Sequence, residues 1–282
     1  MGFLIMKISL NKDIDIGKVL FIVEGQSTEF TILDRVLVKL FDYQLDTYKR
    51  PNNLQKGEIP ALPQFKYRWY KPKPDKEIKG RICVTNTQSS NIGSISSEEY
   101  LDNLFAALIS DDRNAITNLK QLQIYYLFDR DPESNTNVDL IKDLMNKLVN
   151  SRKNNEIMQG MLLLSYPAVE SFTLSHFESN TLQLQFPTAK SQGEKIKNYL
   201  ERKGINQDKI NDDTLIHAMQ ELFLSLDIIN GCQYDLDNFG QCNHDVFAFE
   251  EAQKQQTNLY NALSLIGIAL LDLGLIEITE DT

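Results

Sequence analysis

The chain has 282 residues and a formal net charge of −10 at pH 7, and 42% of its residues are hydrophobic. This composition predicts a folded globular protein with a sizeable core, and it argues against a disordered chain or a general nucleic-acid coat protein. The 3 cysteines cannot form a closed disulfide framework, which favours a reduced, cytoplasmic setting. The longest apolar segment, residues 262–273, is too short to span a bilayer, so no membrane association is expected.

The hydrophobic pattern of the first 187 residues predicts strands that alternate with helices. Short apolar runs predict strands at residues 18–23, 81–85, 123–128 and 161–165. Helical spacing of apolar residues, together with capping residues, predicts helices at residues 27–41, 98–109, 139–151 and 169–177. This alternation indicates an α/β domain over residues 1–187, with a mainly parallel sheet flanked by helices.

Two regions depart from this alternation. Residues 43–80 contain five of the 8 prolines and show little periodicity, which predicts a long basic, proline-rich insert. After residue 187 the strand patterns fade, and helical spacing recurs at residues 190–202, 214–226 and 249–273. We therefore predict a helical C-terminal region over residues 188–282.

The insert concentrates positive charge in an otherwise acidic chain. Residues 43–81 contain ten Lys and Arg against four Asp and Glu, so the rest of the chain carries −16. Aromatic and basic residues interleave here, and cations attract phosphate while aromatic faces stack unpaired bases. The candidate nucleic-acid contacts are Lys66, Arg68, Trp69, Lys71 and Lys73. Equally, Trp69 and Tyr70 could dock the insert on the sheet, and the two interpretations stay open.

Acidic residues follow three of the four predicted strands. Glu24 follows the first strand, Asp129 and Asp131 follow the third, and Glu170 lies shortly after the fourth. Ligands of parallel sheets gather beyond the carboxyl ends of the strands, so these carboxylates are expected to converge. Convergent carboxylates raise each other's pKa unless a cation lies between them, and hard oxygen ligands suit Mg²⁺ or Mn²⁺. Each residue also has a structural alternative, because acidic residues at strand ends cap helices and solvate turns.

Short motifs at these positions resemble those of a known superfamily. Residues 19–25 (VLFIVEG), followed by Thr28 and Glu29, resemble the glutamate motif of Toprim domains, and residues 127–131 (LFDRD) resemble their DxD motif. Residues 165–177 resemble the strand-to-helix segment of RloB-like proteins, which act in prokaryotic anti-phage defence and are related to the Toprim component of PARIS systems. Many Toprim enzymes have an acidic residue four positions after the glutamate, where this chain has Thr28.

The resemblance implies a Mg²⁺- or Mn²⁺-dependent endonuclease. Glu24 is the expected general acid/base or metal ligand, and Asp129 and Asp131 are the expected catalytic metal ligands, with Glu170 as a further candidate ligand. Glu29 either reaches the metal from the first helical turn or only favours the helix dipole, and we prefer the second role.

The resemblance also implies a biological setting. RNA, such as tRNA, is the expected substrate ahead of DNA, and a nuclease that is toxic to its host needs a regulatory protein partner. An ATPase fits that partner in PARIS-like systems, and a homodimer is also open. The alternative is a non-catalytic Toprim-fold subunit that binds a nucleotide or another protein of a defence complex.

Overall fold

A computed structural model describes residues 6–25, 27–46, 67–77, 80–87, 91–109, 122–131, 135–154, 159–187 and 192–280. The described strands are β1 Met6–Leu10, β2 Lys18–Val23, β3 Tyr43–Leu45, β4 Tyr67–Pro72, β5 Arg81–Asn86, β6 Leu122–Asp129, β7 Val149–Asn154, β8 Gln159–Tyr166, β9 Gln185–Pro187, β10 Leu259–Asn261, β11 Leu263–Ser264 and β12 Ile276–Glu280. The described α-helices are α1 Thr28–Arg35, α2 Glu98–Ile109, α3 Val138–Lys147, α4 Glu170–Ser175, α5 Gln192–Arg202, α6 Asp212–Asn230, α7 Gly240–Thr257 and α8 Ile266–Asp272.

An eight-stranded sheet forms the centre of the molecule. Its strand order is β11-β8-β6-β2-β5-β4-β3, and β7 also pairs with β8. The four central strands β8, β6, β2 and β5 are parallel, whereas β3, β4, β7 and β11 pair antiparallel. The α/β class is therefore confirmed, but the sheet is mixed, with a parallel centre and antiparallel strands outside it.

The four strands predicted from apolar runs are those of the parallel centre. In β2, five of the six residues are buried, as expected for a strand covered on both faces. The helix predicted at residues 139–151 is too long, because α3 ends at Lys147 and β7 begins two residues later. The helix that follows β2 is α1, which continues as one π-helical stretch over Val36–Leu40.

The described part of the predicted insert extends the sheet. Strand β4 pairs with β5 and β3 pairs with β4, so this part is not an excursion from the domain. Trp69 and Tyr70 on β4 belong to the main hydrophobic core. Residues 47–66 and 78–79 of the predicted insert, including Lys66, lie outside the described residues.

The C-terminal region is not purely helical. Helices α5 and α6 match the prediction, but the single helix predicted at residues 249–273 is wrong. Asn258 adopts a left-handed conformation (φ 58°) that ends α7, and β10 and β11 precede α8. Strand β11 pairs with β8 and β12 pairs with β1, so this region packs into the same core as the sheet. Among the described helices, none has the length and apolar character needed to cross a membrane.

Candidate active site

The ends of the neighbouring strands β2 and β6 bring Glu24 and Asp129 together. The two strands pair in parallel, with Val23 opposite Leu127, so both acidic residues leave the sheet at the same edge. The Glu24 Oε2 atom accepts a hydrogen bond of 2.9 Å from the backbone N–H of Asp129. Glu24 has only 8% of its surface exposed, and this burial raises the pKa of its carboxyl group, as do the nearby Glu29 and Asp131.

Asp129 also connects the sheet to the start of α4. Its Oδ1 atom accepts a hydrogen bond of 2.7 Å from the backbone N–H of Val169, the residue before Glu170. Burial raises the pKa of Asp129 well above its ordinary value, and the charges of Glu24, Glu29 and Glu170 raise it further. Four acidic residues therefore act on one another electrostatically at this edge of the sheet.

Glu29 folds back over the turn that follows β2. Its Oε1 atom accepts a hydrogen bond of 2.7 Å from the backbone N–H of Gly25. A Cβ atom at Gly25 would lie 2.7 Å from both carboxylate oxygens of Glu29, so a larger residue here would displace the Glu29 carboxylate from its contact with the turn. Burial is the main cause that raises the pKa of Glu29, and Glu170 adds to it. Glu29 thus has a structural contact with the turn that neither expected role described, and it also lies within electrostatic reach of other carboxylates.

Asn135 holds the segment after β6 in place, and sequence reasoning missed it. Its side-chain Nδ2 atom donates to the carbonyl oxygen of Asp129 at 2.9 Å and lies 3.5 Å from Glu24 Oε2. The backbone N–H of Asn135 also donates to the carbonyl oxygen of Asp131, the last DxD residue, at 2.8 Å. A lone Asn in a polar loop carries no sequence signal that marks it for this contact.

Lys197 on α5 supplies a positive charge to the cluster. Its Nζ atom lies 3.0 Å from Glu170 Oε1. Partial burial opposes the charge on Lys197, but Glu170, Glu29 and Asp129 raise its pKa overall. The sequence assigned this lysine to the helical C-terminal region but did not connect it with the acidic residues. Only the tertiary fold brings α5 against α4.

The carboxylates offer oxygen donors to a divalent cation but do not form a compact cage. In the described part of the chain, no group of three or more His, Cys, Asp or Glu side chains is arranged to hold a metal ion. Burial is the main cause that raises the pKa values of Glu24, Glu29 and Asp129, neighbouring carboxylates add to it, and a cation between them would favour the charged forms. The residues that would bind Mg²⁺ or Mn²⁺ are Glu24, Asp129, Asp131 and Glu170, and the ion would replace mutual repulsion by attraction.

The candidate nucleic-acid contacts behave differently from the acidic cluster. Trp69 is only 1% exposed, so its ring is not accessible to an unpaired base, and the docking interpretation holds for this residue. The three described cations each lie near an aspartate, at N–O distances of 3.9 Å for Arg68 and Asp34, 3.1 Å for Lys71 and Asp46, and 2.6 Å for Lys73 and Asp42. These pairs offset part of the positive charge expected from the sequence, and their side chains still keep solvent-exposed surface.

The chain matches no family model, and neither a curated protein nor a solved structure matches it. The resemblance to Toprim and RloB-like proteins therefore depends on the motif residues and on their position in the fold. The strand order puts the strand that ends at the glutamate beside the strand that ends at the DxD residues. This adjacency follows from the parallel pairing of β2 with β6 and is independent of the motif letters.

Proposed function

We propose that the chain is a Mg²⁺- or Mn²⁺-dependent nuclease with a Toprim-like fold and an active centre formed by Glu24, Asp129 and Asp131. The observation that carries this proposal is the hydrogen bond from the Asp129 backbone to the Glu24 carboxylate, which joins the two motifs at one sheet edge. Glu170 is the further candidate ligand, because it lies beside the Val169 amide that holds Asp129. A bound divalent ion supplies charge stabilisation for hydrolysis of the phosphodiester.

The residues of the chain then have distinct roles. The raised pKa of Glu24 suits a general acid/base, because the group can hold a proton near neutral pH and release it. Its Oε2 atom is held by the Asp129 N–H, so Oε1 is the atom from which a proton would be exchanged. Asp129 keeps its orientation through Val169, and Lys197 balances the charge of Glu170.

The motif resemblance supports the biological part of the proposal. Under this proposal the nuclease acts in anti-phage defence, on RNA such as tRNA ahead of DNA. A toxic nuclease of this kind is restrained by a regulatory protein partner, for which an ATPase is the proposed class. Sequencing RNA from cells that express the wild type or Glu24→Ala would identify the cleaved species.

Cleavage by the purified protein tests the catalytic part. Transfer RNA, single-stranded DNA and duplex DNA are incubated with Mg²⁺, with Mn²⁺ or with EDTA. Asp129→Asn and Asp131→Asn are expected to lower the cleavage rate by at least about 100-fold, the scale of a lost catalytic group. Asp139→Asn is the matched control, because Asp139 is exposed on α3. Wild-type rates in both site variants would contradict the proposal.

A non-catalytic module is the second candidate, and a specific observation favours it. Three carboxylates accept backbone N–H groups, so the cluster already cross-links β2, β6 and the starts of α1 and α4. Such a clamp needs no metal and no chemistry. Glu24→Gln keeps the shape of the side chain but lacks an exchangeable carboxyl proton, so retained phage protection with retained partner binding would favour this second candidate.

A further inference from the structure

Arg130, the residue between the two candidate aspartates, is buried on the side of the C-terminal region. It is only 1% exposed and is among the largest fully buried side chains of the described residues. Its Nε atom lies 2.9 Å from Glu251 Oε1 on α7. Its Nη1 atom donates to the carbonyl oxygen of Asn135 at 3.1 Å, and its backbone N–H donates to Ser165 on β8 at 2.8 Å. Arg130 is therefore fixed at its backbone and at its side chain.

The surroundings of the guanidinium come from the C-terminal region. Its carbon lies 5.4 Å from the ring centroid of Phe247 and 6.0 Å from that of Tyr260. The Tyr260 hydroxyl donates to the same Glu251 oxygen at 2.6 Å. Removing an arginine from water is costly, and an ion pair of this kind often contributes little net stability compared with apolar packing. Stability alone is therefore a weak explanation for a charged residue at this position.

Arg130 lies between the two candidate aspartates, but its side chain has different neighbours from theirs. The Asp129 side chain accepts a hydrogen bond from the Val169 N–H, and Asp131 acts electrostatically on Glu24, whereas the Arg130 guanidinium between them contacts Glu251 on α7. The side chain of Arg130 also binds the carbonyl of Asn135, whose amide group donates to the carbonyl of Asp129. A continuous set of contacts thus runs from α7 to the candidate active site.

We propose that Arg130 is a positioning residue for Asp129 and Asp131, and that Glu251 is the counter-charge that holds it. The proposal deepens the nuclease proposal and rests on it for the function of the two aspartates. It gives the C-terminal region a role in the site, since α7 and β10 provide the binding pocket for the guanidinium. Lys or Met at position 130 keeps a long side chain but lacks the planar group that contacts Glu251 and Asn135 together.

Amide hydrogen exchange measures this positioning directly. The N–H of Val169 donates to Asp129 Oδ1, so its exchange rate reports the orientation of the Asp129 side chain. Arg130→Met and Glu251→Gln are expected to speed the exchange of Val169 and Asp129 amides at least about tenfold. The double variant is expected to resemble the more affected single variant, because the two residues act as one pair. Glu251→Gln is the milder change and keeps the test available if Arg130→Met does not fold.

Arg152→Met is the matched control. Arg152 Nη1 lies 2.7 Å from Asp272 Oδ1, so this pair also connects the sheet to the C-terminal region through a buried carboxylate. Asp272 accepts a hydrogen bond from Tyr125, four residues before Asp129 and so about 13 Å along the strand. The control variant is expected to lower stability while leaving exchange of the Val169 amide unchanged after correction for global unfolding.

Mn²⁺ binding, measured by calorimetry on the same variants, connects positioning to function. We expect Arg130→Met to weaken Mn²⁺ binding at least about tenfold, Arg130→Lys to recover part of it, and Arg152→Met to leave it unchanged. Unchanged Val169 exchange in Arg130→Met and Glu251→Gln would overturn the positioning proposal. If Val169 exchange is altered in these variants but the wild type binds no Mn²⁺ and cleaves nothing, the nuclease proposal is overturned and the positioning of Asp129 is kept.

Discussion

Replacing Glu24 by Gln is expected to change how the stability of the protein depends on pH. Burial raises the pKa of Glu24 from 4.5 to about 8, with further increases from the nearby Glu29 and Asp131. Gln has a similar shape, and its carbonyl oxygen can still accept the hydrogen bond from the Asp129 N–H. The substitution therefore removes one ionisation while keeping most of the local packing.

The sign and size of the effect follow from linkage. A carboxyl group whose pKa is raised on folding binds its proton more tightly in the folded protein, so its contribution to stability is fully present below pH 4.5. That contribution is lost as the pH rises to about 8. The difference corresponds to roughly 5 kcal/mol at about 1.36 kcal/mol per pKa unit, of which roughly 4 kcal/mol falls between about pH 5 and pH 8.5.

Urea denaturation followed by circular dichroism, in EDTA at about pH 5 and pH 8.5, measures this difference. The fall in the free energy of unfolding between the two pH values is expected to be roughly 4 kcal/mol smaller in Glu24→Gln than in the wild type. Glu201→Gln, on the exposed face of α5, is expected to leave the fall unchanged. Parallel pH curves for wild type and Glu24→Gln would refute the electrostatic argument. Adding Mg²⁺ at high pH is expected to stabilise the wild type more than the variant.

Three further substitutions test neighbouring parts of the structure. Gly25→Ala places a methyl group against the Glu29 carboxylate and is expected to lower the free energy of unfolding by about 1–3 kcal/mol in urea denaturation. The same variant is expected to have a lower rate of metal-dependent cleavage. Trp69→Ala is expected to cost about 3–5 kcal/mol by the same measurement, because the ring lies in the core, while the salt dependence of nucleic-acid binding stays the same. Burial raises the pKa of Glu250 from 4.5 to about 7, so this carboxyl group contributes less stability as the pH rises through that window. In denaturation curves measured over a pH series, Glu250→Gln is expected to remove about 3 kcal/mol of this loss.

The centre of the sheet and the two motif positions could be predicted because their signals are local. A parallel strand buried on both faces has a run of apolar residues, and both β2 and β6 have such a run. The acidic residues follow where each run stops, and parallel pairing then puts them at one edge. Glu24 and Asp129 could therefore be placed near each other from the sequence. Their hydrogen bond through the Asp129 backbone could not, since it depends on the exact register.

The outer parts of the fold lack such local signals. Strands β3 and β4 lie at one side of the sheet in a proline-rich stretch, where apolar residues such as Trp69 and Tyr70 follow no helical or alternating period. The helix predicted across residues 249–273 has apolar residues at suitable spacing, but Asn258 takes a left-handed conformation and the chain forms β10 and β11 instead. The pairing of β11 with β8 is a tertiary contact that a local pattern does not report.

The charges around the site separate a functional interpretation from a structural one. A clamp made only for stability could use neutral Asn or Gln side chains, which accept the same backbone N–H groups without the cost of burying negative charge. This chain instead gathers Glu24, Glu29, Asp129 and Glu170 where each raises the pKa of another or is balanced by Lys197. Carboxyl groups with strongly shifted pKa values at the carboxyl ends of parallel strands are typical of functional sites. Under the proposed function, a bound cation would offset the stability that the fold gives up here by favouring the charged carboxylates.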